Sequence, residues 1–498
     1  MDSNRYDLLY GGAYSIKDYY MESGNPRQMR GASELLNDCS ETVRQHLLGI
    51  NGVSEKHIIA SGATLSAKVP QGMGEELVKY AEGVYRKKCR TAGAAFVSVP
   101  FDGNYVTTKR RALAKYDSRR AAKFTSLDFL DAEEDEDPEN KTITKGNFLK
   151  YTSGDPCSTI VKNAPVRCPR CRIRSPKYYI CHDNEEELYL CTSCAQREHE
   201  SGEEKYVMRK KCIDKDKYNY EINTMTDLAD SDGRVALLYA DVNNLGGQEK
   251  AEFEDDWKLH ESVKTAITSV VSKAINATMN ARARNEGGEI KAKFEIIALG
   301  GDDICLLMPG DVALLTSKAI AEGFDKASLG LTISLAACVA NDTTAITYVE
   351  SIVENALKSA KKYARKSGQS VVSLSFFERP DGLFPMTVNE VDGFSGLLKE
   401  ISKGGSSVTV TALRNIAEAR RELVFDEEFD LFLKYYLSRD ISETINSRPA
   451  IEKTQDYIKK KYESDKKWNP DKLKTSRYSW YSWSDFVTWR GQKLGGDE

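Results

Sequence analysis

The sequence predicts an α+β protein: two ferredoxin-like units in succession, a metal-binding insertion between them, and a helical carboxy-terminal domain. Three observations carry that expectation. Two apolar runs end in carboxylates, Leu237-Leu238-Tyr239-Ala240-Asp241-Val242-Asn243-Asn244-Leu245-Gly246 and Ile296-Ile297-Ala298-Leu299-Gly300-Gly301-Asp302-Asp303-Ile304-Cys305-Leu306-Leu307. The first hundred residues repeat the apolar part of both runs without the acids. Between the copies lie two Cys-x-x-Cys pairs. At 498 residues the chain is long enough for about three or four domains with sizeable cores.

Taken in order, residues 1–130 form the first unit. Leu8-Leu9-Tyr10-Gly11-Gly12 parallels Leu237 to Asp241, and Ile58-Ile59-Ala60-Ser61-Gly62-Ala63-Thr64 parallels Ile296 to Asp302. Self-similarity at both strands argues for a duplicated fold. In this register Gly12 falls where Asp241 stands, and Ala63 with Thr64 takes the Gly-Asp position. After Pro70-Gln71-Gly72 a helix is expected over roughly 73–90 and a strand from Ala94 to Val99. The copy keeps the fold and lacks the acids that would hold a metal.

Residues 131–160 contain the acidic run from Asp131 to Glu139, which reads as a solvated linker. Residues 161–228 follow, with Cys168-Pro169-Arg170-Cys171 and Cys191-Thr192-Ser193-Cys194 separated by 19 residues. That spacing indicates a structural tetrahedral Zn²⁺ closed by four thiolates, which leaves no open position for a substrate. Cys181 and His182 are alternative ligands; Cys157 and Cys212 read as plain thiols.

Residues 229–385 form the second unit. The expected order is a strand ending at Asp241, a helix over 252–285, a strand over 293–299, a hairpin, a strand over 303–308, a helix over 311–326, a strand over 331–339, a helix over 346–366 and a strand over 371–376. This is a βαββαβ unit with one helix and one strand added. The run before Asp241 is too apolar for a half-exposed strand and so belongs inside a sheet. Gly300-Gly301-Asp302-Asp303 between apolar runs reads as a tight hairpin with its acids at the tip. Three converging carboxylates offer oxygen ligands to hard cations, Mg²⁺ or Mn²⁺, and paired ions suit phosphoryl transfer. Glycine and aspartate are also the commonest turn residues, so the motif alone is equally readable as a turn.

The strand end Asp241-Val242-Asn243-Asn244-Leu245-Gly246, the Gly-Gly-Asp-Asp hairpin and the helix from Ala356 to Arg365 resemble the palm domains shared by diguanylate cyclases and the CRISPR polymerases, the large subunits of type III CRISPR effector complexes. Arg27-Gln28-Met29-Arg30-Gly31-Ala32-Ser33-Glu34-Leu35-Leu36 resembles the start of that family's first-palm helix, although an ordinary amphipathic helix would look similar. The resemblance implies a degenerate first palm, an active second palm and a zinc-binding insertion. It implies Asp241, Asp302 and Asp303 as catalytic residues that, with the carbonyl of Val242, hold about two metal ions. It assigns nucleotide contacts to Gly300, Gly301, Asn244, Lys361, Lys362 and Arg365. Lys361 and Arg365 match the positions that contact triphosphate in the cyclases; a solvated helix face is the plain reading of the same pattern. Asn243 departs from the family, where many members carry a second aspartate.

The activity implied is attack of one nucleotide's 3′-hydroxyl on another's α-phosphate, with ATP as substrate and cyclic oligoadenylates as products. A GTP-using diguanylate-type cyclase and a non-catalytic palm scaffold are the alternatives. Partners implied are nucleoside triphosphates, target or guide RNA, other effector subunits or a second copy. The family's HD nuclease domain is not expected, since His182-Asp183 is the only His-Asp pair among five histidines.

Beyond Phe377 the chain reads as helical, and residues 386–498 form the last domain. Its tail interleaves Trp468, Trp480, Trp483 and Trp489 with lysines and arginines, a pattern that fits a small core, a protein contact or nucleic acid. A net charge of −4 gives no broad basic excess. A polar amino terminus and the lack of a long apolar run point to a cytosolic protein without membrane contact, and 11 cysteines there favour thiols and metal ligands over disulfides.

Overall fold

The computed structural model describes residues 6–61, 64–123, 148–150, 167–176, 178–181, 187–201, 212–213, 222–248, 250–286, 293–377, 379–392 and 431. In chain order the elements are β1 (Tyr6–Tyr14), α1 (Ile16–Met21), α2 (Pro26–Leu48), β2 (Ile58–Ser61), β3 (Thr64–Pro70), α3 (Gly74–Lys88), β4 (Gly93–Pro100), α4 (Tyr105–Lys123), β5 (Phe148–Lys150), β6 (Tyr178–Cys181), β7 (Glu187–Leu190), α5 (Thr192–Glu200) and α6 (Met225–Leu228). Then come β8 (Arg234–Val242), α7 (Phe253–Glu286), β9 (Glu295–Gly300), β10 (Asp303–Pro309), α8 (Ala313–Lys326), β11 (Ile333–Asn341), α9 (Ile346–Ser367), β12 (Val371–Phe376) and β13 (Arg379–Thr387). The chain divides into two compact units: Met1–Leu228 with Asn244–Leu307 and Ala345–Thr347, and Ala229–Asn243 with Met308–Thr344 and Tyr348–Glu498.

In the first unit, β1 to β4 form an antiparallel sheet in the order β2-β3-β1-β4. With α2 between β1 and β2 and α3 between β3 and β4, this is the ferredoxin-like arrangement that the repeat predicts. Helix α2 starts where Asn25 accepts from the amides of Arg27 and Gln28 at 3.0 and 3.3 Å, with Pro26 at the first helical position. The sequence comparison misplaces the first hairpin by one residue. Ser61 pairs with Thr64 as Gly300 pairs with Asp303, so residues 62 and 63 correspond to Gly301 and Asp302, and Thr64 to Asp303. Matching residue types favours the other frame, in which Ile58-Ile59-Ala60 falls on Ile296-Ile297-Ala298; hydrogen-bond pairing overrides it. No acid enters the first copy in the corrected register either.

Helix α4 packs on β4 and β1 and extends the first palm beyond the elements expected from sequence. Its inward positions are Tyr105, Thr108, Ala112 and Tyr116, a helical stripe in which two of four residues are polar or small. The cysteine-bearing segment builds the sheet β5-β6-β7 and helix α5, whose core is Cys168, Cys171, Tyr178, Leu190, Cys191, Cys194 and Ala195.

Helix α5 lies against α2. The crossing is close at Gly31, where an added β-carbon would stand 1.8 Å from the Arg197 carbonyl oxygen. Gly31→Ala is expected to destabilise the unit by about 1–3 kcal/mol, since backbone faces the new methyl and no rotamer relieves it; urea unfolding measures this. Arg30, one residue earlier, is 1% exposed and pairs with the fully buried Glu295 of β9 at 2.6 Å. Its other donors reach the carbonyls of Ser201 at 3.1 Å and Ile222 at 2.8 Å. Within the Arg27 to Leu36 segment Arg30 and Glu34 are both buried, which a helix with only apolar residues inward would not show.

In the second unit the strands run β13-β12-β11-β8. β11 and β12 are parallel, joined through α9 elsewhere in the order, while β8 and β13 pair antiparallel. Every residue of β11 except Asn341 is buried, as its apolar run requires. The expectation that the chain turns helical after Phe377 fails over β13. Pro380 and Pro385 cannot donate to a ladder, and they are accommodated because β13 pairs only with β12 at the end of the order. The acidic linker, Cys157, His182, the tryptophan-bearing tail and most of residues 393–498 lie outside the described residues. Among the described residues no helix is long and apolar enough to cross a membrane.

Candidate active site and metal centre

Asp241 is the penultimate residue of β8, opposite Ser334 of β11. Pleating alternates the side chains, so buried Ala240 and Val242 flank a carboxylate that is half-buried at 23% exposure. The Lys361 ammonium of α9 lies 2.8 Å from its Oδ1. A carboxylate suited to a hard cation and a lysine suited to a phosphate therefore meet within the second unit.

Asn243, the departure from the family pattern, is fully engaged. Its amide nitrogen donates to Thr332 Oγ1, its carbonyl oxygen accepts from Ser334 Oγ, both at 2.9 Å, and its backbone N–H reaches the Thr332 carbonyl at 2.8 Å. It fastens the strand end to the start of β11. Asn244 follows at φ 62, in the left-handed region that asparagine tolerates better than most residues, and its side chain is exposed. On α9, Lys362 and Arg365 are exposed.

In the first unit, β9 and β10 form the expected hairpin with Gly300 opposite Asp303. Gly301 opens the two-residue loop at φ 64, a conformation that favours glycine, and so re-aims the chain at the point where alternation alone would part the two aspartates. Asp302 is half-buried and Asp303 exposed. A break in the pairing register falls between Cys305 and Leu306.

The hairpin's charges are felt by two tyrosines that sequence reading did not single out. Burial, then Tyr116, Asp117 and Asp302, pushes the Tyr10 phenol up to about 12. Burial, with Cys305 and Asp303 behind it, raises Tyr20 as well. The signal for Tyr10 was its match to Tyr239, whose hydroxyl donates to Glu350 at 3.1 Å.

The four cysteines gather as their spacing predicts: all four sulfurs lie within 4.8 Å of one another and all four residues are buried. Cys171 and Cys191 sulfurs are 3.8 Å apart. Four thiolates about 2.3 Å from a tetrahedral ion would stand about 3.8 Å apart, so the cluster fits such a metal. Neighbouring thiols hold Cys191 well below the ordinary thiol range, and Cys168 is lowered to about 7 mainly by Cys171. Arg174 donates to the sulfurs of Cys171 and Cys191 at 3.7 and 3.6 Å. Arg174 and Arg197 are both held by Glu22 at the end of α1, and Arg197 also stacks over Tyr19 at 4.2 Å. These outer contacts orient the thiolates and tie the cysteine cluster to the first palm.

Residues 234–369 match the family model for the second palm domain of Cas10/Cmr2. No curated protein matches the sequence. Among solved structures, the chain is similar to Csm1 of T. onnurineus with a TM-score of 0.60 at 13% identity, covering 98% of this chain and 70% of that one. It is similar to the Csm1-Csm4 cassette in complex with pppApApA (TM-score 0.57, 13% identity, 91% and 70% covered) and with cA4 (0.56, 12%, 90% and 70%). Against the cassette with AMPPNP it spans only 54% of the solved chain. At such identities the likeness is one of fold. Residues 234–369, the segment that carries Asp241, Asp302 and Lys361, are thus similar to the second palm domain of Cas10/Cmr2, on a chain whose course follows the Csm1 fold.

Proposed function

We propose that the protein is a metal-dependent nucleotidyltransferase that joins ATP into cyclic oligoadenylate and releases pyrophosphate. The observation that carries this reading is the 2.8 Å pairing of Asp241 with Lys361, which brings a cation ligand and a phosphate ligand to one strand end. Asp241, the Val242 carbonyl, Asp302 and Asp303 offer only oxygen, as Mg²⁺ or Mn²⁺ requires. When bound, such ions neutralise developing charge and lower the pKa of the attacking hydroxyl. Gly300 and Gly301 keep side chains away from the approaching nucleotide, and Asn244 is exposed beside the strand end. Lys361, Lys362 and Arg365 neutralise the β- and γ-phosphates, orienting the α-phosphate for in-line attack. Adenine is favoured because structures of the same fold carry pppApApA and cA4.

The same likeness supports assembly with a Csm4-like subunit, as in the solved cassettes; an antiviral signalling role and target RNA as a partner are part of the same proposal. Chromatography and mass spectrometry of products from ATP and from GTP, each with Mn²⁺, test the reading. Adenylate rings and pyrophosphate support it; products from GTP alone would establish the other base, and no product with or without target RNA would sink it.

The four-cysteine cluster is read as a structural zinc site, closed to substrate. Cys191→Ser is expected to abolish the chain's retained zinc, measured by colorimetric titration after denaturation, while Cys212→Ser leaves it unchanged.

A further inference from the structure

The Asp241–Lys361 pair poses a chemical conflict. The Oδ1 that accepts from the lysine ammonium is an oxygen a divalent ion would need, and the ammonium is a group a triphosphate would need. Each group has further lone pairs or donors, so the conflict is one of charge: the lysine cation repels a divalent ion at Asp241, and the aspartate anion repels a triphosphate at Lys361. The pair is only part-buried, at 23% and 32% exposure, so its net strength is small and both groups can exchange partners without a large desolvation cost. Lys361 lies on the four-carbon stem typical of lysine, long enough to swing, whereas Asp241 is held by the paired strand beneath it.

We propose that Lys361 is a displaceable internal counter-ion of Asp241, so that the divalent cation and the nucleoside triphosphate bind with positive coupling: the cation takes the carboxylate oxygen and the triphosphate takes the released ammonium. This inference rests on the reading of Asp241 as a cation ligand and adds how its two ligands influence each other. Either ligand alone competes with the ion pair for one charge and meets repulsion from the other. Together they replace it with two better matched pairs. Coupling of this kind is reciprocal, so each ligand strengthens the other by the same factor. The site then holds metal poorly until nucleotide arrives.

A lysine that only contacts phosphate and one that also shields the carboxylate give opposite signs in one measurement. Mn²⁺ is titrated into the full chain without nucleotide, and free Mn²⁺ is read by electron paramagnetic resonance. Lys361→Met is expected to bind Mn²⁺ about two- to five-fold more tightly than the unaltered protein, the span set by the strength of a part-exposed ion pair. Lys361→Arg keeps the charge and is expected to retain the weaker affinity. Fluorescent ATP analogue binding should fall in Lys361→Met, and the factor by which Mn²⁺ strengthens it should shrink. Circular dichroism melts confirm that each variant is folded. Unchanged or weaker Mn²⁺ binding by folded Lys361→Met, alongside loss of binding in Asp241→Asn, overturns the counter-ion role while leaving the cation site intact. Mn²⁺ affinity that Asp241→Asn does not alter overturns the cation site, and this inference with it.

Discussion

Replacing Asp302 and Asp303 together by alanine is expected to reduce product formation from ATP by at least about a thousand-fold. Metal ligands act through charge stabilisation worth several kcal/mol, and each 1.4 kcal/mol or so is ten-fold in rate. Both residues sit at a hairpin tip, one half-buried and one exposed, and Gly301 rather than either acid sets the turn. The double variant should therefore unfold within about 0.5 kcal/mol of the unaltered chain, which separates loss of chemistry from loss of fold. Initial rates by thin-layer chromatography of labelled ATP, with urea unfolding as control, give both numbers. Undiminished output from the folded double variant would remove the hairpin from the mechanism.

The second large effect lies far from any nucleotide contact in sequence. Arg30→Ala removes the guanidinium that pairs with Glu295 and leaves that fully buried carboxylate without it. Breaking such a pair from one side costs about 3–5 kcal/mol, enough to lower Tm by roughly ten degrees. Arg30→Met with Glu295→Leu removes both charges, and it should recover most of the loss. The contrast between single and double variants in urea melts is the test. Equal destabilisation in both would mean that the carbonyl contacts of Arg30 to Ser201 and Ile222, and not its charge, hold the joint.

How much of this was legible beforehand depends on how each feature is encoded. The acid-tipped hairpin announces itself because apolar runs flank residues that only a tight turn tolerates, and β9, β10 and Gly301 follow. The cysteine cluster was equally plain from its spacing. The duplicated palm was visible from Leu8-Leu9-Tyr10, but its hairpin frame was not, since the best residue match, Ile58-Ile59-Ala60 on Ile296-Ile297-Ala298, lies one residue off the hydrogen-bond pairing. Strand β13 was hidden by its two prolines, which argue against a strand unless its edge position is known. Helix α4 was hidden because Thr108 and Ala112 weaken its apolar stripe. The roles of Arg30, Glu22 and Asn243 were out of reach: each is a long-range partnership between segments tens or hundreds of residues apart.

The crossing of α5 over α2 at Gly31 has a consequence for how the first unit comes apart. Helix α5 begins at one thiolate, Cys191, and carries another, Cys194, while α2 is the first palm's own long helix. A calorimetric scan of the unit should accordingly give one cooperative endotherm instead of two, and a chelator should move that endotherm as a whole. An ion held by the four cysteines would thereby stabilise the first palm's sheet through the helix that it anchors.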